Sequence, residues 1–204
     1  QPHHTITLIK MQTTMNNSNK LQITTDRANL LIKDFKLTEL YIILTEYFSR
    51  DDAFTDRGFD LNKGLLIVGP IGTGKSEAFN VFREMFRGSK NGFFKVISCR
   101  HLIRDYTEKG AKVLNEYGRE SKSTVYFDDL GLEEVNVKMF GNSANVMSEI
   151  LIDRYDSFKT KGVLTYASSN LTPSQFEDVY GARMRDRMKE MFNLITVKGK
   201  SFRR

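Results

Sequence analysis

The chain has little of several residue types that mark particular classes of protein. Its 204 residues include one cysteine, Cys99, three prolines and no tryptophan. A single cysteine excludes a disulfide framework within the chain and a zinc site built from several cysteines. Three prolines without a repeating glycine period exclude collagen-like and proline-rich chains.

Long apolar runs are also missing. None approaches the roughly 18 to 20 residues that a membrane-spanning helix needs. Residues 1–10 lack the apolar core of a secretory signal. We therefore expect no membrane association and a reducing, cytoplasmic setting. The 40% hydrophobic content, with 15 phenylalanines, excludes wholesale disorder and suits one globular domain with an extension.

Positive charge is concentrated at one end of the chain. The sequence has 31 basic and 25 acidic residues, for a formal net charge of +6. The segment from Arg183 to Arg204 holds eight basic and two acidic residues and so accounts for the whole excess. A basic excess indicates a nucleic-acid partner only weakly. Because the whole basic excess lies in residues 183–204, the net charge supports nucleic-acid contact only for that segment.

Apolar runs and helical periodicity alternate along the chain. Short runs rich in β-branched and aromatic residues predict strands at 64–68, 94–98, 124–127, 163–167 and 194–197. Apolar residues spaced by three and four predict helices over 37–48, 77–87, 100–120 with a break near Gly110, 144–159, 173–179 and 182–191. This alternation predicts an α/β domain with a five-stranded, mostly parallel sheet.

The same patterns suggest three parts of the chain. We assign residues 61–204 to the α/β domain and residues 31–60 to an N-terminal helix and linker. The polar stretch 51–63, which spans the end of that linker region and the start of the domain, is predicted to be a loop. Residues 1–30 are polar, with a stretch rich in Asn, Ser, Thr and Gln at 12–19, so we expect a flexible arm or, alternatively, a weak edge element there.

A phosphate-binding motif follows the first predicted strand. Eight residues match G-x-x-x-x-G-K-[ST]: Gly69, Pro70, Ile71, Gly72, Thr73, Gly74, Lys75 and Ser76. The glycines allow successive N–H groups to point at one anion, and the next helix offers it a positive N-terminus. Lys75 can reach the β- and γ-phosphates, while Ser76 can ligate Mg²⁺. The motif predicts a P-loop that binds ATP and Mg²⁺.

Two acidic residues end the third predicted strand. Asp128 and Asp129 follow the apolar run Val125-Tyr126-Phe127. In a P-loop protein, Asp128 would hold Mg²⁺ and Asp129 would orient or deprotonate the attacking water. An apolar run ending in two aspartates is common by itself, so this assignment depends on the P-loop.

Three further segments carry a resemblance to a known family. They are the stretches 127–133 (FDDLGLE), 167–171 (ASSNL) and 180–188 (YGARMRDRM). With the P-loop, they resemble the DnaC/IstB-type AAA+ ATPases, which include helicase loaders and transposition helper ATPases. The resemblance covers residues 61–202. It implies a P-loop NTPase fold, a three-layer αβα sandwich that forms an AAA+ core without a helical lid.

The resemblance also implies roles for individual residues. Asn170 corresponds to the sensor residue that holds the attacking water. Arg187 corresponds to an arginine finger that reaches a neighbouring subunit's ATP, with Arg183 as the second candidate. Such a finger implies an ATP-dependent homo-oligomer. Capping of a turn by Asn170 and a solvated basic helix face at Arg187 are the non-catalytic alternatives.

The family further implies a DNA partner, and single-stranded DNA in the loaders. Basic and aromatic residues on the predicted 100–120 helix are candidates to contact it: Arg100, Arg104, Tyr106 and Lys109. A solvated amphipathic helix explains them equally well. The expected function is an ATPase that acts on DNA as a helicase loader or replication accessory factor, with a replicative helicase or transposase as partner. The alternatives are a transposition helper and a nucleotide-dependent DNA-binding scaffold with little turnover.

Overall fold

A computed structural model describes residues 39–86, 94–132, 137–139, 142–199 and 201. The predicted polar arm and the tail residues Lys200, Arg203 and Arg204 lie outside the described residues. Contacts divide the chain into two units. The first contains residues 1–61 and 77–93, and the second contains residues 62–76 and 94–204. The boundaries of the three parts predicted above remain predictions.

The first two described helices belong to the first unit. They are α1 (Glu39–Ser49) and α2 (Asp52–Asp56). The prediction of a loop over 51–63 is wrong for α2. The Asp51 carboxylate caps this helix by accepting a hydrogen bond from the backbone N–H of Ala53 at 3.0 Å, and Phe54 is fully buried. One cap and one buried ring therefore stabilise a helix too short to show a periodic pattern.

The second unit contains the main sheet. The described strands, in chain order, are β1 (Gly64–Val68), β2 (Lys95–Ser98), β3 (Val125–Leu130), β4 (Val137–Met139), β5 (Asn142–Ala144), β6 (Thr165–Ser169) and β7 (Phe192–Thr196). Five of them form one sheet in the order β2-β3-β6-β1-β7, and every neighbouring pair is parallel. The predicted five-stranded sheet is confirmed. Strands β4 and β5 form a separate antiparallel pair that the sequence did not predict.

Helices follow the strands in the predicted alternation. They are α3 (Lys75–Met85), α4 (Cys99–Lys109), α5 (Ala111–Leu114), a π-helical turn (Asn115–Arg119), α6 (Val146–Lys161), α7 (Pro173–Tyr180) and α8 (Ala182–Met191). Gly110 separates α4 from α5 with a φ of 60°, at the predicted break. In this left-handed region a glycine avoids the strain that a Cβ atom would add.

One apolar core joins a face of the sheet to helices α4 to α8. The strands contribute Leu66, Val68, Val125, Phe127 and Ala167. The helices contribute Cys99, Leu102, Val113, Ile150, Leu151, Phe176 and Met188, among others. Since β-strand side chains alternate between faces, Tyr126 and Asp128 lie on the opposite face from Val125 and Phe127.

A buried arginine joins the segments at the amino-terminal ends of β3 and β6. Arg154 of α6 is fully buried. Its guanidinium donates to the Thr165 hydroxyl at 2.9 Å, the Ser121 hydroxyl at 2.9 Å and the Ser123 carbonyl at 3.0 Å. It also donates to the Leu164 carbonyl. Burial lowers the pKa of Arg154 to about 10, so this side chain is still a cation at neutral pH.

Candidate active site

The P-loop lies at the carboxyl-terminal edge of the sheet, between β1 and α3. Gly72 and Gly74 have φ values of 81° and 82°, in the left-handed region that favours glycine. Gly69 is required for another reason, because a Cβ atom there would lie 2.4 Å from the Val197 carbonyl oxygen. These glycines shape a loop whose N–H groups can converge on an anion.

Lys75 is almost completely buried at the first turn of α3, with 5% of its surface exposed. Its ammonium group donates to the Gly69 carbonyl at 2.7 Å and the Pro70 carbonyl at 2.8 Å. It also donates to the Asn170 side-chain oxygen at 2.7 Å. The structure therefore brings together two predicted site residues that are 95 positions apart in the sequence.

Ser76 and Asp128 also meet at this edge. The Ser76 hydroxyl donates to Asp128 Oδ1 at 2.7 Å. Both residues are partly accessible to solvent. A hydroxyl beside a carboxylate provides the oxygen ligands that Mg²⁺ takes from proteins when it is bound with phosphate groups. The predicted pair of metal-binding residues is therefore adjacent in the structure.

Two further hydroxyl groups, to which the sequence patterns assign no role, contact Asp128. Tyr126 donates to Asp128 Oδ1 at 2.6 Å, and Ser168 donates to the same oxygen at 2.7 Å. Burial, followed by the charge of Asp128, raises the pKa of Tyr126, so its hydroxyl stays protonated and can donate. Tyr126 lies two positions before Asp128 on one strand. This period-2 spacing was the available sequence signal.

The ladder between β3 and β6 changes register at the two aspartates. Phe127 pairs with Ala167 and Leu130 pairs with Ser169, with an irregularity between them. Asp129 has a φ of 59°, which is uncommon for a residue with a side chain. Its backbone N–H donates to the Ser168 hydroxyl at 3.2 Å. Ser168 therefore contacts Asp128 through its side chain and Asp129 through its backbone.

Further contacts at the end of β6 explain the glycine after the aspartates. Ser169 donates from its hydroxyl to the Leu130 carbonyl and accepts from the Leu171 N–H at 3.0 Å. A Cβ atom on Gly131 would lie 2.3 Å from Leu171 Cδ1, and its φ is 90°. A side chain at Gly131 would push against the Leu171 side chain, which would have to move. The glycine thus leaves room for the packing of Leu171.

Arg187 lies on α8 and contacts a tyrosine of α6. Its guanidinium carbon is 5.0 Å from the centre of the Tyr155 ring, within the range of a cation–π contact. The Tyr155 hydroxyl in turn donates to Glu190 at 3.0 Å. Arg187 is half-buried and Arg183, one turn earlier, is exposed. These contacts place Arg187 on the α6–α8 surface rather than in the group formed by Lys75 and Asp128.

The candidate DNA-contacting residues lie on α4. Arg100, Arg104 and Lys109 are exposed, and Lys109 forms an ion pair with Asp105 at 3.2 Å. Tyr106 is half-buried and packs against the core, so only part of its ring is accessible for stacking on a base. The three basic side chains can reach phosphate groups. Their contact with DNA remains a prediction.

The residues at the carboxyl-terminal edge fit a nucleotide with Mg²⁺. The loop has the left-handed glycines that a phosphate cradle needs, and a Cβ atom added to Gly74 would meet nothing within 4 Å. The buried ammonium group of Lys75 donates to two carbonyl oxygens of the same loop. A phosphate group held by this loop could take the place of these acceptors. The Ser76 hydroxyl and the Asp128 carboxylate supply donors suited to Mg²⁺.

Fold and site together have the features of a P-loop NTPase domain. The solved structure of DnaI superposes with a TM-score of 0.54 and 16% identity, covering 79% of this chain and 84% of that chain. AMPPCP-bound DnaA from Aquifex aeolicus gives a TM-score of 0.52 and 17% identity, covering 82% of this chain and 49% of that chain. These similarities confirm the fold that the resemblance to DnaC-type AAA+ proteins predicts.

Sequence comparison adds a further relative. The chain is 26% identical over 136 residues to 26S proteasome regulatory subunit 6A of Saccharomyces cerevisiae. The match includes 62% of this chain but spans only 30% of that relative's length. No protein-family model matches the sequence. Within the described ranges, no helix combines the length and apolar character needed to cross a membrane.

Proposed function

We propose that this protein binds and hydrolyses ATP with Mg²⁺ and acts on DNA as a helicase loader or replication accessory factor. The observation that carries the ATPase proposal is the pair of contacts that join the P-loop to two neighbouring strands. Lys75 contacts Asn170 after β6, and Ser76 contacts Asp128 in β3, both at 2.7 Å. A glycine-rich structural turn would not require these polar groups to converge.

Each group at the edge then has a chemical task. Lys75 binds phosphate oxygens, while Ser76 and Asp128 hold Mg²⁺, which neutralises phosphate charge when bound. Asp129 orients or deprotonates the attacking water, and the Asn170 amide holds that water. Asp129 has a shorter side chain than the glutamate that many AAA+ proteins carry at this position, so we expect slow turnover.

A second copy of the chain would complete the ATP site by supplying Arg187. Arg187 is held against Tyr155 on the α6–α8 surface. From there it would act on the ATP of a neighbouring copy of the chain, as an arginine finger supplied in trans. Fingers of this kind are worth about 10³- to 10⁵-fold in rate. ATP would therefore favour a homo-oligomer.

The DNA-related part rests on the fold and on charge. One of the two similar solved structures is of DnaI, and the other is of DnaA. The exposed Arg100, Arg104 and Lys109 offer phosphate contacts on α4. We propose single-stranded DNA and a replicative helicase as partners, in the cytoplasm. A preference for duplex DNA and for a transposase would instead identify a transposition helper.

A complementation assay of ATP hydrolysis tests this function. We expect Mg²⁺-dependent phosphate release by the natural chain, stimulated by single-stranded DNA. Lys75→Met and Arg187→Ala should each be inactive alone, because one lacks the P-loop lysine and the other lacks the finger. Mixing them should restore part of the activity, because an intact P-loop can then face an intact Arg187. Lys189→Ala is the matched control, since this basic residue of the same helix pairs with Asp186 at the surface.

The outcomes separate the parts of the proposal. Full activity of Arg187→Ala would remove the finger assignment but leave the ATPase intact. No recovery in the mixture would contradict action in trans. Binding of ATP without hydrolysis under any DNA condition would favour a nucleotide-dependent scaffold.

A further inference from the structure

Asp128 Oδ1 accepts hydrogen bonds from three hydroxyl groups. One comes from Ser76, which the proposed function assigns to Mg²⁺ together with Asp128. The other two come from Tyr126 and Ser168, at 2.6 and 2.7 Å. Their oxygens are also only 2.9 Å apart. Both residues are buried, with 1% and 0% of their surfaces exposed, so each is fixed by its strand.

The backbone around Asp128 gives a reason for this arrangement. Asp128 pairs with Ser98 of β2 on one side. On the β6 side the regular ladder is interrupted between Phe127 and Leu130. At this position the Ser168 hydroxyl of β6 bonds to Asp128 Oδ1 and to the Asp129 N–H. These side-chain hydrogen bonds take the place of the backbone bonds of a regular ladder. A carboxylate on an irregular strand segment would otherwise rotate more freely.

The chemistry of the donors also suits a metal site. A lysine or arginine beside Asp128 would neutralise the charge that attracts Mg²⁺. Neutral hydroxyl groups orient the carboxylate and leave its charge in place. Partners that orient a metal-binding side chain typically change metal affinity by about 10- to 100-fold when they are removed.

We infer that Tyr126 and Ser168 are positioning residues, which hold the Asp128 carboxylate in the orientation needed to bind Mg²⁺ with ATP. This inference rests on the proposed function, since it assumes that Ser76 and Asp128 hold the metal. The competing interpretation is that the two hydroxyl groups satisfy each other in the core and contribute stability alone. The two interpretations differ in how nucleotide binding responds to Mg²⁺.

A binding experiment with the full chain separates them. The affinity for a fluorescent, non-hydrolysable ATP analogue is measured in Mg²⁺ and in EDTA. Tyr126→Phe removes only the hydroxyl oxygen. We expect the gain in affinity from Mg²⁺ to fall by about 10-fold, with affinity in EDTA unchanged. Ser168→Ala should act in the same direction, and it serves as the second variant if Tyr126→Phe does not fold.

Tyr166→Phe is the matched control. Tyr166 pairs with Tyr126 in the neighbouring strand and is equally buried. Both rings pack edge-on against Phe94, with centroid distances of 6.2 Å for Tyr126 and 5.1 Å for Tyr166. The control therefore also removes a hydroxyl from a buried, packed ring. We expect its Mg²⁺ dependence to match that of the natural chain.

Each outcome decides one question. If Tyr126→Phe and Ser168→Ala match the natural chain and Tyr166→Phe in their response to Mg²⁺, the positioning inference is overturned. If both lose stability and affinity in EDTA to the same extent as in Mg²⁺, a structural role alone explains them and the inference is again overturned. If the natural chain binds no nucleotide, or gains nothing from Mg²⁺, the proposed function itself fails.

Discussion

The two edges of the main sheet each bury a cation, and they do so in different ways. At the carboxyl-terminal edge, Lys75 is 5% exposed and contacts two loop carbonyls and Asn170. At the amino-terminal edge, Arg154 is fully buried and contacts four acceptors around the starts of β3 and β6. Burial alone therefore does not distinguish a binding residue from a structural one.

Arg154 and Lys75 differ in their hydrogen-bond partners and in the backbone around them. Arg154 presents several donors in a planar group, and its acceptors lie in several directions, so its place is fixed. Lys75 carries a compact ammonium group on a flexible stem, and it points into a loop with left-handed glycines. Asp129, with its φ of 59°, lies at the same edge. Polar groups that can exchange partners, together with unusual backbone, support our proposal that the carboxyl-terminal edge is the functional one.

The largest expected effect on stability comes from Arg154→Met. The substitution leaves the Leu164 and Ser123 carbonyls and two hydroxyl groups without their donor in a buried site. We expect the free energy of unfolding to fall by about 3 kcal/mol, since each unsatisfied buried group costs about 1–3 kcal/mol. Urea unfolding measures this loss. ATP affinity of the folded protein should be unchanged.

Arg119→Met is the control for this comparison. Arg119 is 81% exposed and its ion pair with Asp153 spans 3.8 Å. An exposed pair of this kind contributes less than about 1 kcal/mol. Equal losses for Arg119→Met and Arg154→Met would contradict the structural role of the amino-terminal edge.

Lys75→Met should give the reverse result. Nucleotide affinity should fall by about 100-fold, which corresponds to roughly 2.7 kcal/mol of binding free energy. The free energy of unfolding should change by less than about 1 kcal/mol, because the loop carbonyls can turn to solvent. Titration with a fluorescent ATP analogue and urea unfolding on the same sample measure both. A large loss of stability with unchanged affinity would place Lys75 in the same structural class as Arg154.

Thr165→Val gives the smallest effect and sharpens the comparison. It removes a single acceptor of Arg154, the one at 2.9 Å from Nε. We expect the free energy of unfolding to fall by about 1 kcal/mol. ATP hydrolysis should not change, although Thr165 belongs to the strand that ends in Ser169. A change in hydrolysis as large as the change in stability would show that the two edges are coupled.

Features with a local sequence signal are predictable. The strand Gly64–Val68 and the helix Ala182–Met191 have the bounds that their sequence patterns predict. The P-loop and the two aspartates are contiguous motifs, and the structure places Ser76 beside Asp128 as P-loop chemistry requires. Their catalytic roles, and those of Asn170 and Arg187, remain predictions.

Other features depend on contacts between distant segments. Ser168 lies 42 positions after Tyr126, and the two meet only because of the register between β3 and β6. Arg154 occupies the buried face of α6, four positions after Ile150, but a charged residue there does not reveal acceptors 31 and 33 positions away. The helix α2 depends on one cap and one buried ring rather than on periodicity.

The most direct test of the central claim is a crystal structure of the protein with Mg²⁺ and a non-hydrolysable ATP analogue. Lys75 Nζ now donates to the Gly69 and Pro70 carbonyls. We predict that in the complex this group contacts the β- and γ-phosphates, and that Mg²⁺ lies beside Ser76 and Asp128. A nucleotide bound elsewhere, or a bound nucleotide whose phosphates do not contact Lys75, would contradict the assignment of this edge as the ATP site.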